Sequence, residues 1–222
     1  MRRKKLPTRR RTALRWLCAA LLALLLANQI FGIGYLLPTQ TLREMEQFWG
    51  TGRTKTVYSR VDDRSVISLS ANEQAMIFSQ IYPTLVGWAN TACVLDCSDP
   101  AAMYGSFRDV SRAARPQIPY AWGRVDDPEI TEVRMSFRYA LREEEDRDRT
   151  GPETDFAVAT HREDWTEQDG MAFFVLRLDP MGPGYHRVVY RDVTLTGLND
   201  RGETVARIEV SAGGVYGKRS VP

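Results

Sequence analysis

Between Trp16 and Thr41 the chain carries no charged side chain, and the 15 residues ahead of that stretch carry eight cations and no acid. This pairing constrains the rest of the chain more than any other feature. The run WLCAALLALLLANQIFGIGYLL (16–37) is broken only by Asn28 and Gln29. A helix of about 20 apolar residues spans about 30 Å of hydrocarbon. The run therefore reads as a transmembrane helix over residues 16–37. Residues 1–15 form a basic cytoplasmic tail, because cations gather on the cytoplasmic side of a span. Trp16 and Tyr35 fall where interfacial aromatics are expected. A cleaved signal peptide fits less well: cleavage after Ala27 would leave Leu25 where a small side chain is required. The helix is read as an uncleaved single-pass anchor with the membrane bilayer as its partner. The remainder of the chain belongs outside the cytoplasm: a stalk over 38–54, in which residues 40–50 read as a short polar helix or stalk stopped by Gly50 and Gly52, one domain over 55–212 and a C-terminal tail over 213–222.

The formal net charge of +2 describes neither part of the chain. With the eight N-terminal cations set aside, 22 Lys+Arg face 28 Asp+Glu, a net of −6. Clustered arginines can neutralise phosphates, but a basic cluster placed directly before an apolar span is accounted for by topology. No nucleic-acid partner is expected.

The domain reads as mostly β. KTVYSRV and SVISLSA are short, β-branched runs separated by a turn at Asp62-Asp63. AMIFSQIY and TLVGWANTACVL are two further strands. Ser98-Asp99-Pro100 has the chemistry of a helix start, and Met103, Phe107 and Val110 recur at helical spacing after it. Residues 115–129, rich in Pro and Gly, read as a loop. In VRMSFRYALR (133–142) apolar and polar residues alternate, which marks a strand with one buried face. MAFFVLRL (171–178) and HRVVYRDVTLTGL (186–198) are two more strands, and Asn199-Asp200-Arg201-Gly202 supplies hairpin chemistry before ETVARIEV. These last four strands suggest one antiparallel meander. With the earlier ones there would be about seven to nine, as in an Ig-like antiparallel β-sandwich with a short helix. From Arg142 to Asp169 eleven acids face four bases, the composition of a solvated insertion.

Cys93 and Cys97 lie in TACVLDC. Outside the cytoplasm disulfides persist, so the pair reads as a disulfide pinning a local turn. A zinc site would need about four ligands, and apart from these two cysteines only His161 and His186 are available. Other candidates carry little chemistry. Asp146, Asp148, Thr150 and Gly151 match the start of a calcium loop, but Ala157 stands where its closing Glu belongs; a non-helical loop would use Asp146, Asp148, Glu153 and Asp155. Asp126 and Asp127 read as turn residues bonding local amides. Trp49, Trp88, Trp122 and Trp165 read as packing anchors, with a sugar-binding platform as the alternative. No motif implies a cofactor or a catalytic set.

The expected function is therefore a membrane-anchored, extracytoplasmic interaction or ligand-sensing module, non-enzymatic, with a protein partner in the envelope. Binding would use a sheet face or the loops near Trp122 and Trp165. The absence of any N-x-S/T sequon points to a bacterial envelope. Two alternatives are carried: an accessory subunit of a membrane complex contacting it through Asn28 and Gln29, and a small metal-assisted hydrolase.

Overall fold

A computed structural model describes residues 8–31, 37–62, 65–84, 87–108, 119–141, 150–178 and 188–210. Among these residues two helices, α1 (Thr8–Phe31) and α2 (Pro38–Trp49), precede twelve strands. The strands are β1 (Lys55–Asp62), β2 (Ser65–Ala71), β3 (Ala75–Thr84), β4 (Gly87–Asp96), β5 (Met103–Arg108) and β6 (Tyr120–Val125). They continue as β7 (Glu132–Leu141), β8 (Thr154–His161), β9 (Thr166–Gln168), β10 (Met171–Arg177), β11 (Val188–Leu198) and β12 (Thr204–Val210).

The described strands form three antiparallel sheets of four, consistent with the expected β-sandwich: β1-β2-β3-β4, β5-β6-β10-β9 and β12-β11-β7-β8. The first is a meander. In the other two the chain deposits hairpins alternately, so β10 pairs with β6 and lies outside the β7–β11–β12 group expected to contain it. The β5–β10 sheet is the middle layer. Tyr104, Tyr120, Trp122 and Phe173 pack toward the first sheet against Leu69, Met76 and Phe78. Met103, Phe107, Ala121 and Phe174 pack toward the third against Met135, Phe137, Leu195 and Ile208. Phe78 stacks on Trp122 with ring centroids 5.5 Å apart and planes 11° apart.

Burial on both faces explains two departures from the sequence reading. Met103–Arg108 is a strand, not a helix, and Tyr120–Val125 is a strand inside the expected loop, with all six residues buried. A strand covered on both sides has no polar face, so it shows no alternation to read. The acidic insertion is likewise structured over Thr154–His161 and Thr166–Gln168. Among its described acids, Asp155 is exposed on β8, Glu163 and Asp164 lie in a turn, Glu167 is on β9 and Asp169 is in the β9–β10 turn, while Phe156 and Val158 pack onto the core.

The middle layer needs two glycines. Gly105 and Gly123 face each other across β5 and β6, and the Phe174 ring lies over both. A Cβ on Gly123 would come within 2.6 Å of that ring, and one on Gly105 within 2.5 Å of Leu195.

The N-terminal region differs from a span over 16–37. Helix α1 starts at Thr8, takes Arg9, Arg10, Arg11 and Arg15 into its first turns, and ends at Phe31. Among the described residues no helix is long and apolar enough to cross a membrane. The short helix expected in the stalk is present as α2, capped by Gly50, and it packs on the first sheet with Thr41 fully buried and Glu46 7% exposed. The Glu46 carboxylate accepts hydrogen bonds from the Thr54 backbone N–H at 2.7 Å and hydroxyl at 2.9 Å, tying α2 to the start of β1.

Gly123→Ala should lower stability by about 2–3 kcal/mol, because the added methyl overpacks an interior that cannot give way. Gly151→Ala, whose Cβ would meet nothing nearer than the Leu141 carbonyl at 3.6 Å, should stay within about 0.5 kcal/mol. Urea unfolding of the two variants measures the difference, and equal midpoints would refute this account of the middle layer.

Candidate functional site

A cleft of about 720 Å³ opens at one end of the first two sheets, between edge strand β1 and the β9–β10 hairpin. Val57, Ala71, Met171 and Phe173 supply its apolar lining. Its polar groups come from three chain segments: Arg53 and Lys55, Glu73 and Gln74, and Gln168 and Asp169.

Each wall is held locally. In the β2–β3 turn, Asn72 accepts hydrogen bonds from the Gln74 and Ala75 backbone amides at 2.9 and 2.8 Å through Oδ1. Its Nδ2 donates to the Thr51 and Arg53 carbonyls at 2.8 and 3.2 Å. One amide side chain thus closes the turn and fastens it to the linker after α2, the local bonding that favours Asn in turns. The Gln74 carbonyl accepts from the Cys97 amide, and the Glu73 carbonyl from Arg124 at 3.1 Å. The opposite wall turns at Asp169-Gly170, both with positive φ (52° and 78°), the backbone of a two-residue primed hairpin turn.

Lys55 and Asp169 join the walls across the mouth, Nζ to Oδ2 at 2.9 Å. The hydrogen bond to Asp169 raises the Lys55 ammonium above its ordinary value, and the same bond lowers the Asp169 carboxyl below its own. The pair is solvent-exposed and so weakly coupled and sensitive to salt. A ligand can therefore part it at little cost.

Behind the cleft Arg124 is buried, its guanidinium 4.5 Å from the Tyr104 ring centre and 2.7 Å from Asp126 Oδ2. Nη1 also lies 3.5 Å from Met171 Sδ, on the cleft wall. Removing this residue would strip the Glu73 turn of a partner and leave Asp126 unpaired. Arg124 is a positioning group that sequence reading missed. Inside GRVDDPE it looks like one more surface cation, and only the double burial of β6 places it in the interior.

The sequence candidates are scattered. Cys93 and Cys97 are both free thiols. No turn separates them: the strand runs unbroken from Gly87 to Asp96. At the rise of an extended strand their Cα atoms are about 13 Å apart, where a disulfide requires less than roughly 7 Å. Burial pushes the Cys97 thiol up to about 12 and raises Cys93 as well, so both stay protonated and unreactive. Asp127 serves its turn as expected, accepting from the Glu129 amide at 2.9 Å. Trp122 and Trp165 are buried, the latter donating to Thr160 Oγ1 at 3.2 Å, and neither forms a binding platform. Trp49 is 38% exposed, stacked edge-on against Phe48. Asp146, Asp148 and His186 lie outside the described residues. Of the remaining calcium candidates, Glu153 is held by Arg138 at 2.8 Å and Arg191 at 2.7 Å. Among the described residues no group of three or more His, Cys, Asp or Glu is placed to hold a metal.

Two measurements check this site. Asp169 should titrate below the ordinary carboxylate range by NMR, and Lys55→Ala should return it to that range; an unmoved midpoint would mean that the bridge does not form. Without any reductant, Cys93 and Cys97 should resist alkylation in the folded protein and both react once it is unfolded. Failure to alkylate after unfolding would restore the disulfide.

Compared with known proteins, the chain matches no family model, no curated protein and no solved structure.

Proposed function

We propose that this chain is a membrane-tethered, extracytoplasmic binding module of a bacterial cell envelope, non-enzymatic, with the cleft between the first two sheets as its ligand site. The observation that carries the tether is the surface of α1. Leu14, Trp16, Leu17, Leu21, Leu22 and Leu26 are each between 53% and 74% exposed. From Trp16 to Ala27 every residue is apolar, so this part of the helix has no polar face to turn to water. Hydrocarbon is the surrounding that satisfies it. No helix among the described residues has the length and apolarity of a span. The reading therefore also rests on the uncharged run to Leu37, of which residues 32–36 lie outside the described ones. The cations before the run favour a cytoplasmic N-terminus.

Support for ligand binding comes from the cleft's make-up: an apolar lining, cations and anions at its mouth, and walls pre-formed by the Asn72 and Asp169-Gly170 turns. A small molecule with an apolar body and polar ends of either sign suits it. Burial keeps both described cysteines of the β-domain protonated, which counts against a thiol nucleophile. A role as accessory subunit has narrower support, from Asn28 and Gln29 within α1, since amides in hydrocarbon seek partners across helices.

The test is fractionation of bacterial cells expressing the full chain. The protein should stay in the membrane pellet through an alkaline carbonate wash, and protease added outside spheroplasts should digest the β-domain. Release by carbonate would place α1 along the bilayer surface rather than across it. A soluble protein would overturn the tether, and a protected β-domain would overturn the orientation.

A further inference from the structure

We infer that edge strand β8 pairs with β8 of a second copy of this chain, antiparallel and centred on Val158, joining two third-layer sheets into one continuous sheet. Strand β8 ends the order β12-β11-β7-β8, and among the described residues no strand lies beyond it. All eight of its residues pair one-to-one with β7, from Glu132↔His161 to Tyr139↔Thr154, with no bulge. The outward N–H and C=O groups of such an edge form a template for another strand.

The other edges are blunted. Strand β1 carries a bulge between Thr56 and Tyr58 and the cations Lys55 and Arg60. Strand β9 has three residues. Strand β12 lies against β5, and β4 against α2. The β8 sequence TDFAVATH has no Lys, Arg, Pro or Gly, and Asp155 is its one acidic residue, so the edge is lightly protected.

Self-complementarity selects the partner and the register. Residues directly opposite in an antiparallel pair share a face of the sheet, so a two-fold axis must pass through a residue, not between two. Centred on Val158, Ala157 faces Ala159 of the second copy and Phe156 faces its Thr160. Phe156 and Val158 already pack on the core between the second and third sheets, and pairing would continue that seam. At each end Asp155 of one copy meets His161 of the other, a carboxylate opposite an imidazole N–H.

Both groups are available. Arg138, opposite Asp155 in the register, is committed to Asp192 at 2.9 Å and Glu153 at 2.8 Å. His161 is exposed, with Glu132 3.9 Å from its Nδ1 as the nearest acid. Centring on Ala157 instead would set His161 against Glu153, whose oxygens Arg138 and Arg191 already hold, and would leave Asp155 facing Ala159.

Sedimentation of the full chain in detergent, at several protein concentrations, tests this. The wild type should form a dimer. Asp155→Lys combined with Ala157→Lys, both on the exposed outer face, should raise the dissociation constant at least tenfold while leaving the thermal unfolding midpoint of the monomer in place. Asp155→Lys alone should weaken the dimer, and adding His161→Asp should restore it, because the swap keeps each end complementary. A wild type that stays monomeric would overturn the inference. So would a dimer indifferent to these changes, as one joined through α1 would be, or a swap that fails to rescue.

Discussion

The fold depends on a central sheet with no solvent side. Strands β5, β6 and β10 carry large residues toward the first sheet and several small ones toward the third, where Gly105, Ala121, Gly123 and Ala172 make room for Phe174 and Leu195. Apolar area removed from water on two faces of one layer is the largest favourable contribution such a domain has. Close packing makes that contribution sensitive to a single methyl group. The outer sheets are shaped by it: each presents one apolar face inward, and each leaves its other face to α2 or to charged side chains.

The same arrangement creates the cleft. Where β1 and the β9–β10 hairpin part at the end of the first interface, the apolar seam between the sheets becomes accessible, and the turns bounding it supply polar groups. Arg124 illustrates the energetics of that corner. A buried guanidinium is tolerable only when its desolvation is offset by good partners, here a carboxylate, a backbone carbonyl and an aromatic face. Because one of those partners is the Glu73 carbonyl, the interior charge also fixes the cleft wall.

Legibility followed burial pattern. Strand β7, with one face in and one out, was readable from VRMSFRYALR, and the Asn199 hairpin from its turn chemistry. Its Oδ1 accepts from the Arg201 and Glu203 amides, as an Asx turn requires. Strands β5 and β6 were not readable, because alternation disappears when both faces are covered. Strand β8 was hidden by composition: its acidic surroundings read as loop, while Phe156 and Val158 were too few to mark a buried face alone. The cleft was illegible for another reason. Its residues come from positions 53–57, 71–74 and 168–173, which only the stacking of the sheets brings together.

The split between an apolar, basic-flanked N-terminal segment and an acidic β domain is written in the residues alone, because charge and hydropathy act locally and need no partner to be read. The sequence also marked strands with a single buried face and the Asn199 turn, whose signals lie within a few residues. Contacts across the layers decided that the sandwich is built of three sheets, that Cys93 and Cys97 stand apart on one extended segment, that Arg124 is interior, and which edge has no neighbouring strand among the described residues. Each of these depends on what lies across the sheet or beside the strand, and contacts between residues distant in sequence leave no periodic trace in either partner.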